Sequence, residues 1–287
     1  MPRALEIVGG FATNPGATFT VLTPSTGTSF TVRNTDPAKA VWLLNAWAFN
    51  ATAGELRIRS TKLHDFQQGI RNRITAAFTT PVQGFHDNYS YAQRLYAQDA
   101  LTVELTGGGA ELDTATLMIL YEDLQGASGR FIDNAFLKAN GLNEVTIEVT
   151  VTAVATGNFG GAVAINSTND NLIANTDYAI LGGMTDTRGD SVGITGIDFS
   201  NLRLGFPAEP TLRDTTGNYF QALTAAFNTP LIPVFSSANK AATTIDVQTN
   251  GAGGTYIINL LCVQLLPGKV GPGLTGAAVA GAAQPGA

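Results

Sequence analysis

The sequence predicts an all-β protein made of two tandem eight-stranded jelly-roll sandwiches with few short helices. One observation behind this is the spacing of short apolar runs, about one per dozen residues, with Gly, Pro, Asn or Asp between them, as in a sandwich or barrel. Another is an internal repeat. Thr75-Ala76-Ala77-Phe78-Thr79-Thr80-Pro81-Val82 returns as Thr224-Ala225-Ala226-Phe227-Asn228-Thr229-Pro230-Leu231, with six of eight positions identical. Downstream, Leu101-Thr102-Val103-Glu104-Leu105 is echoed by Thr243-Thr244-Ile245-Asp246-Val247, and each copy runs on into a glycine-rich turn and an apolar closing strand. The offsets are 149 and 142 residues, so one copy carries a loop insertion between the two matches. The third observation is composition: 32 glycines in 287 residues and only 13% charged side chains, suited to many strands joined by tight turns.

Taken in order, strands are expected at 4–8, 19–23, 30–34, 41–49, 55–60, 74–80, 92–97, 101–106 and 114–123. A short helix is expected over 62–71, where Leu63, Phe66 and Ile70 fall at helical spacing. The small-residue stretch at 125–129 divides the chain into a first roll (1–126) and a second (127–267). In the second roll, Val145, Ile147, Val149 and Val151 alternate with Thr146, Glu148, Thr150 and Thr152, a strand with one buried face. Strands follow at 162–165, 178–181, 201–206, 231–235, 243–247 and 255–264, with a helix over 219–227 on the shared face of Phe220, Leu223 and Phe227. Eight or so strands in each half fit a jelly roll better than a seven-stranded immunoglobulin-type sandwich. Residues 268–287, rich in Gly, Ala and Pro, read as a flexible C-terminal arm that cannot build a core.

Three strands are apolar on both faces. In 41–49, Val41, Leu43, Trp47 and Phe49 alternate with Trp42, Leu44, Ala46 and Ala48; Met118 and Leu120 oppose Leu117, Ile119 and Tyr121; Ile258 and Leu260 oppose Ile257 and Leu261. One apolar face suffices for a sandwich strand, because the other meets water. Two imply a second covering layer, first the sister roll and then a neighbouring subunit. Trp42, Trp47, Phe49, Met118, Leu120, Ile258 and Leu260 are therefore candidate assembly-interface residues. The insertion after Pro81 carries Tyr89, Tyr91 and Tyr96, a candidate contact loop for a neighbour or, in a lectin-like module, for sugar.

Composition and motifs narrow the chemistry. A net charge of −6 argues against specific nucleic-acid recognition, which needs clustered Lys and Arg. The nearest approach, Arg57, Arg59, Lys62, Arg71 and Arg73, reads as a patch facing an acidic neighbour. The single Cys262 forms no intrachain disulfide and reads as a small core residue. Met1–Gly10 lacks the apolar stretch of a signal peptide, so synthesis and folding in a cytoplasm are expected. Two histidines and one cysteine are too few for zinc. The oxygen-rich run 166–171 lacks the carboxylates of a strong Ca²⁺ loop. His86, Asp87 and Ser90 are too close in sequence to aim as a triad, and no phosphate-binding glycine loop or nucleophile elbow occurs. Glu122 and Asp123 are adjacent and point apart, and Arg188-Gly189-Asp190 reads as a polar turn. No cofactor, metal or enzyme is expected.

Two tandem rolls with these echoes and closing strands resemble the double jelly-roll major capsid proteins of tailless icosahedral, membrane-containing bacteriophages. The resemblance covers residues 4–266 as architecture. It implies a virion protein in which three copies form a pseudo-hexameric homotrimeric capsomer, with contacts to other capsid or vertex proteins and to an internal membrane. The chain departs from the pattern in lacking a clearly basic N-terminal arm. The alternatives are a carbohydrate-binding or adhesin-type module and a virion decoration or spike protein.

Overall fold

A computed structural model describes residues 2–50, 52–63, 66–74, 92–107, 112–154, 156–167, 172–187, 189–208, 216–249 and 253–271. The first half contributes β1 (Arg3–Thr13), β2 (Gly16–Val21), β3 (Thr23–Pro24), β4 (Val41–Phe49), β5 (Gly54–Arg59), β6 (Ile70–Ile74), β7 (Gln93–Leu95), β8 (Thr102–Gly107) and β9 (Leu112–Glu122). The second contributes β10 (Phe131–Ile132), α1 (Asn134–Asn140), β11 (Gly141–Ala153), β12 (Phe159–Ala164), β13 (Asp177–Thr185), β14 (Ser191–Thr195) and β15 (Arg203–Pro207). It ends with α2 (Tyr219–Phe227), β16 (Ile232–Ser236), β17 (Thr244–Gln248) and β18 (Gly254–Leu265).

These strands form four antiparallel sheets. In the first half the orders are β3-β1-β9-β4-β7 and β2-β8-β5-β6; in the second, β10-β16-β13-β18-β11 and β12-β17-β14-β15. Setting aside the two-residue edge additions β3 and β10, each half has eight strands. Its front sheet reads first-eighth-third-sixth and its back sheet second-seventh-fourth-fifth. That connectivity is a jelly roll, made twice.

The two rolls also share an irregularity. In the first, β4 pairs with β9 over Val41, Trp42 and Leu43 before the register slips at Asn45. In the second, β13 pairs with β18 over Tyr178, Ala179 and Ile180 before it slips at Gly182. A bulge thus sits after the same three rungs of the third strand in both rolls, where one extra residue bends the strand. The echoes fall equivalently as well. The octapeptide copies lie between the fifth and sixth strands of their rolls, although 75–82 is outside the described residues, and the second echo lies on the seventh strands, β8 and β17.

The bulge corrects the expected facing of β4. Simple alternation puts Trp47 and Phe49 on the side of Val41 and Leu43. The extra residue flips the parity, so Val41 and Leu43 point into the first roll with Ala46 and Ala48. Trp42 and Leu44 share the outer side with Trp47 and Phe49. A second correction concerns 62–71, where the described residues form turns leading into β6 rather than a helix. Leu63 is buried while Phe66 is 55% exposed, so the two do not share an apolar stripe. Gly69 has φ +63°, and a Cβ there would lie 2.3 Å from Ile58 O. The turn is closed tightly against β5 in a conformation that glycine permits. The run 30–34 makes only an isolated bridge, Thr31 to Ala100. α1 and β14 are additions the sequence did not signal; the helix 219–227 is α2.

Candidate functional site

The two rolls share an apolar surface. The outer side of the first roll's front sheet, with Leu5, Ile7, Leu44, Trp47, Phe49, Met118 and Leu120, joins the core of the second roll in one continuous apolar cluster. It packs on the outer side of the second roll's back sheet. There Gly205 makes room: a Cβ would lie 2.6 Å from Ile7 Cδ1 and 2.0 Å from Val192 O. Gly9 does the same on the facing strand, where a Cβ would lie 2.8 Å from Gln248 Oε1 and 2.9 Å from the Phe159 ring.

Several buried polar groups along this seam find partners across it or beside it, as burial favours. Trp47 Nε1 donates to Ser191 Oγ at 2.9 Å, and Thr116 Oγ1 lies 2.8 Å from the same hydroxyl. Thr116 Oγ1 also lies 3.1 Å from Gln248 Oε1, and Gln248 Nε2 donates to Ser25 Oγ at 2.9 Å and to Gly157 O at 2.8 Å. Thr114 Oγ1 donates to Asp190 Oδ2 at 2.8 Å. Asn45, in the bulge, donates from Nδ2 to Tyr219 OH at 2.8 Å, and the Tyr219 ring stands edge-on to Trp47 with centroids 6.2 Å apart. Asp190 is buried here, so the acidic member of the Arg188-Gly189-Asp190 run belongs to the seam rather than to an exposed loop.

The candidate interface residues therefore separate. Trp47, Phe49, Met118 and Leu120 are buried against the sister roll of the same chain, and Ile258 and Leu260 are buried inside the second roll. Apart from Leu120, which also edges the groove described next, these residues have no surface on offer to another chain. Trp42 is half-buried in a groove of about 360 Å³, lined also by Leu44, Ala92, Leu120, Phe227 and Thr229. Of the candidate contact loop, Tyr89 and Tyr91 lie outside the described residues, as do His64, His86, Asp87, Ser90 and 168–171. Tyr96 is 43% exposed.

A feature that sequence reading missed is a cluster repeated on the two back sheets. In the first roll, Glu104 on the seventh strand accepts from Arg57 at 2.7 Å and from Arg59 at 2.6 and 2.7 Å. The Arg57 guanidinium lies 3.6 Å from the centroid of Phe19 on the second strand. In the second roll, Asp246 takes the place of Glu104 and accepts from Arg203 at 2.9 and 3.2 Å. Arg203 lies 4.4 Å from the centroid of Phe159, again on the second strand. The signal was present in the alignment of Glu104 with Asp246, but the Arg and Phe partners come from strands that the echo does not cover.

The two acids differ in their environments. Burial pushes Glu104 up, but the hydrogen bonds from Arg59 and Arg57 outweigh it and hold the carboxyl below its ordinary value. Asp246 has one arginine, and burial wins: its value is raised. The basic patch is thus paired internally in large part. Arg71 bonds Glu55, and Lys62 Nζ donates to Ala97 O at 2.6 Å. Arg73 stays 80% exposed, 3.9 Å from Glu55.

On the segment that follows the first roll, Arg130 ties together parts of the second half. Its side chain is 6% exposed and reaches Asp177 at 2.7 Å and Asp198 at 3.3 Å. It also donates to the carbonyls of Gly271 at 2.9 Å and Val270 at 3.3 Å. The chain beyond β18 is thereby tied to the segment joining the rolls. Burial raises the Cys262 thiol. Among the described residues, no three His, Cys, Asp or Glu side chains converge as metal ligands would, and no helix is long and apolar enough to cross a membrane.

Comparison with known proteins gives no matching family model and no matching curated protein. Among solved structures, the PBSX exported protein XepA is 10% identical, with 88% of each chain covered and a TM-score of 0.19. The STIV MCP is 8% identical over 93% of this chain and 88% of the other, with a TM-score of 0.21. At those scores the superpositions carry no argument about function.

Proposed function

We propose that this chain is a structural virion protein: a major capsid protein that assembles as a homotrimeric, pseudo-hexameric capsomer of an icosahedral shell. The observation that supports this most is the duplicated roll. Two copies share one strand order and one bulge position, each carries a Phe–Arg–acid cluster on its back sheet, and the front sheet of one is locked on the back sheet of the other along the seam. A fused pair of like rolls is what sixfold-like packing of three chains calls for, since each chain supplies two of six similar units. The function is geometric, and no reaction is assigned. An obligate shell contact buries on the order of 2,000 Å² or more. Contacts with vertex proteins or an internal membrane, and a virion location after synthesis in the host cytoplasm, belong to the same proposal.

Size-exclusion chromatography with light scattering, followed by negative-stain microscopy, tests it. A trimer with a hexagonal outline, or larger particles, is expected. A monomer that captures glycans through the Tyr96 region would overturn the reading in favour of a carbohydrate-binding module.

A further inference from the structure

Within the chain, the rolls stack head to tail: the front sheet of the first lies on the back sheet of the second. Such a contact uses two different surfaces, so one copy of each is left over. Among the described residues, the surfaces outside the seam are the first roll's back sheet and the second roll's front sheet.

The first roll's back sheet presents Phe19, Arg57, Arg59, Arg71 and Arg73 around Glu55 and Glu104. Four guanidinium groups against two carboxylates leave it positive. It is also the counterpart of the surface already covered at the seam. In the second roll a Phe–Arg–acid cluster of like composition, its Arg203 drawn from the fifth strand rather than the fourth, lies beneath the sister roll, with Phe159 only 7% exposed and packed close to Gly9. In the first roll Phe19 is half-buried. An open hollow of about 530 Å³, lined by Phe19, Glu55, Arg71, Arg73 and Thr106, opens beside it among the described residues.

The second roll's front sheet carries Thr146, Glu148 and Thr150 on the outer side of β11, facing Leu261, Asn259 and Ile257 of β18. Asp186 at the end of β13 accepts from the Ile257 N–H at 2.7 Å. α1 covers the far part of this sheet, where Leu137 packs with Leu261 and Leu265, and Lys138 stands at that covered end. The uncovered part is negative and half apolar.

We propose that the first roll's back sheet, at Phe19, Arg57, Arg71 and Arg73, is the docking surface for a second copy of this chain. That copy lays on it the front sheet of its second roll, at Glu148, Thr150, Ile257 and Asp186. The contact repeats between copies the stacking that the rolls make within one. Two observations carry it: the opposite charge of the two leftover faces, and the seam as a template for how a front sheet sits on a Phe–Arg–acid cluster. The inference rests on the assembly proposed above and specifies its faces.

Charge reversal tests it on the full-length chain, read by light scattering over a concentration series. Arg71→Glu with Arg73→Glu reverses one face; Glu148→Arg with Thr150→Arg reverses the other. Each pair alone is expected to weaken self-association at least tenfold, because like charges then meet across the contact. All four substitutions in one chain are expected to restore it. The two faces lie on opposite sides of the seam, so this rescue can arise only between copies. It also shows that the single-face variants lost a contact and not their fold. Wild-type assembly that either pair leaves unchanged, or that the fourfold variant fails to recover, overturns the docking faces and leaves the capsid reading standing. A wild-type chain that stays monomeric overturns both.

Discussion

Glu104 and Asp246 show how one extra side chain changes the sense of an electrostatic contribution. Both are mostly buried on a seventh strand, and both face arginine. Two guanidiniums hold Glu104 below its ordinary value despite burial, whereas Asp246, with one, is raised. A lowered carboxylate stabilises the fold fully above its unfolded value and loses that contribution as pH falls through the folded one. A raised carboxylate works the other way: it favours the fold most when protonated, and the advantage fades as pH rises through its folded value. Glu104→Gln is therefore expected to lower the urea midpoint at pH 7 and to flatten the loss of stability in acid, below about pH 4. Asp246→Asn is expected to cost less at pH 7, because the ionised form it replaces is held against burial. Equal losses for the two variants would show that the second arginine does not set the difference.

At the scale of the element, β4 shows what one inserted residue does. Apart from Asn45 its sequence is apolar, so patterning alone cannot say which residues face the roll's own interior. The bulge at Asn45 puts the small Ala46 and Ala48 inside and the large Trp47 and Phe49 outside, where the sister roll receives them. Trp47 thus works at the seam, with its indole N–H satisfied by Ser191. Trp47→Ala is expected to destabilise the chain by about 3–5 kcal/mol, the range for truncating a buried large aromatic. Trp47→Phe keeps much of the apolar surface and leaves Ser191 with its Thr116 contact, so a smaller loss is expected. Chemical denaturation of both variants checks this, and a near-neutral Trp47→Ala would show the seam to be loosely packed.

At the scale of the whole molecule, the seam makes the rolls one folding unit. The apolar cluster runs without a break from Leu5 and Met118 in the first roll to Ile258 and Cys262 in the second, and Gln248 bonds to both Ser25 and Thr116 of the other roll. Parting the rolls would expose that surface and strip buried polar groups of their partners, each at a cost of about 1–3 kcal/mol. A single calorimetric transition is expected, with the van't Hoff enthalpy equal to the calorimetric one. Two resolved transitions would mean that the rolls unfold independently.

The all-β class, the duplication and most strand positions can be read from residue order alone. Those depend on local alternation, turn residues and repeated words such as Thr224–Leu231, which are written in the order of residues. The sequence also marked the strands with two apolar faces and the alignment of Glu104 with Asp246. Which layer covers those faces emerges only in the folded chain. Burial of Trp47 by a sister roll and burial by another subunit need the same apolar residues, so no pattern separates them. The facing of β4 was hidden because one bulge reverses parity without changing composition. The Phe–Arg–acid clusters were hidden because their members come from strands far apart in sequence, and only the pairing of those strands brings them together.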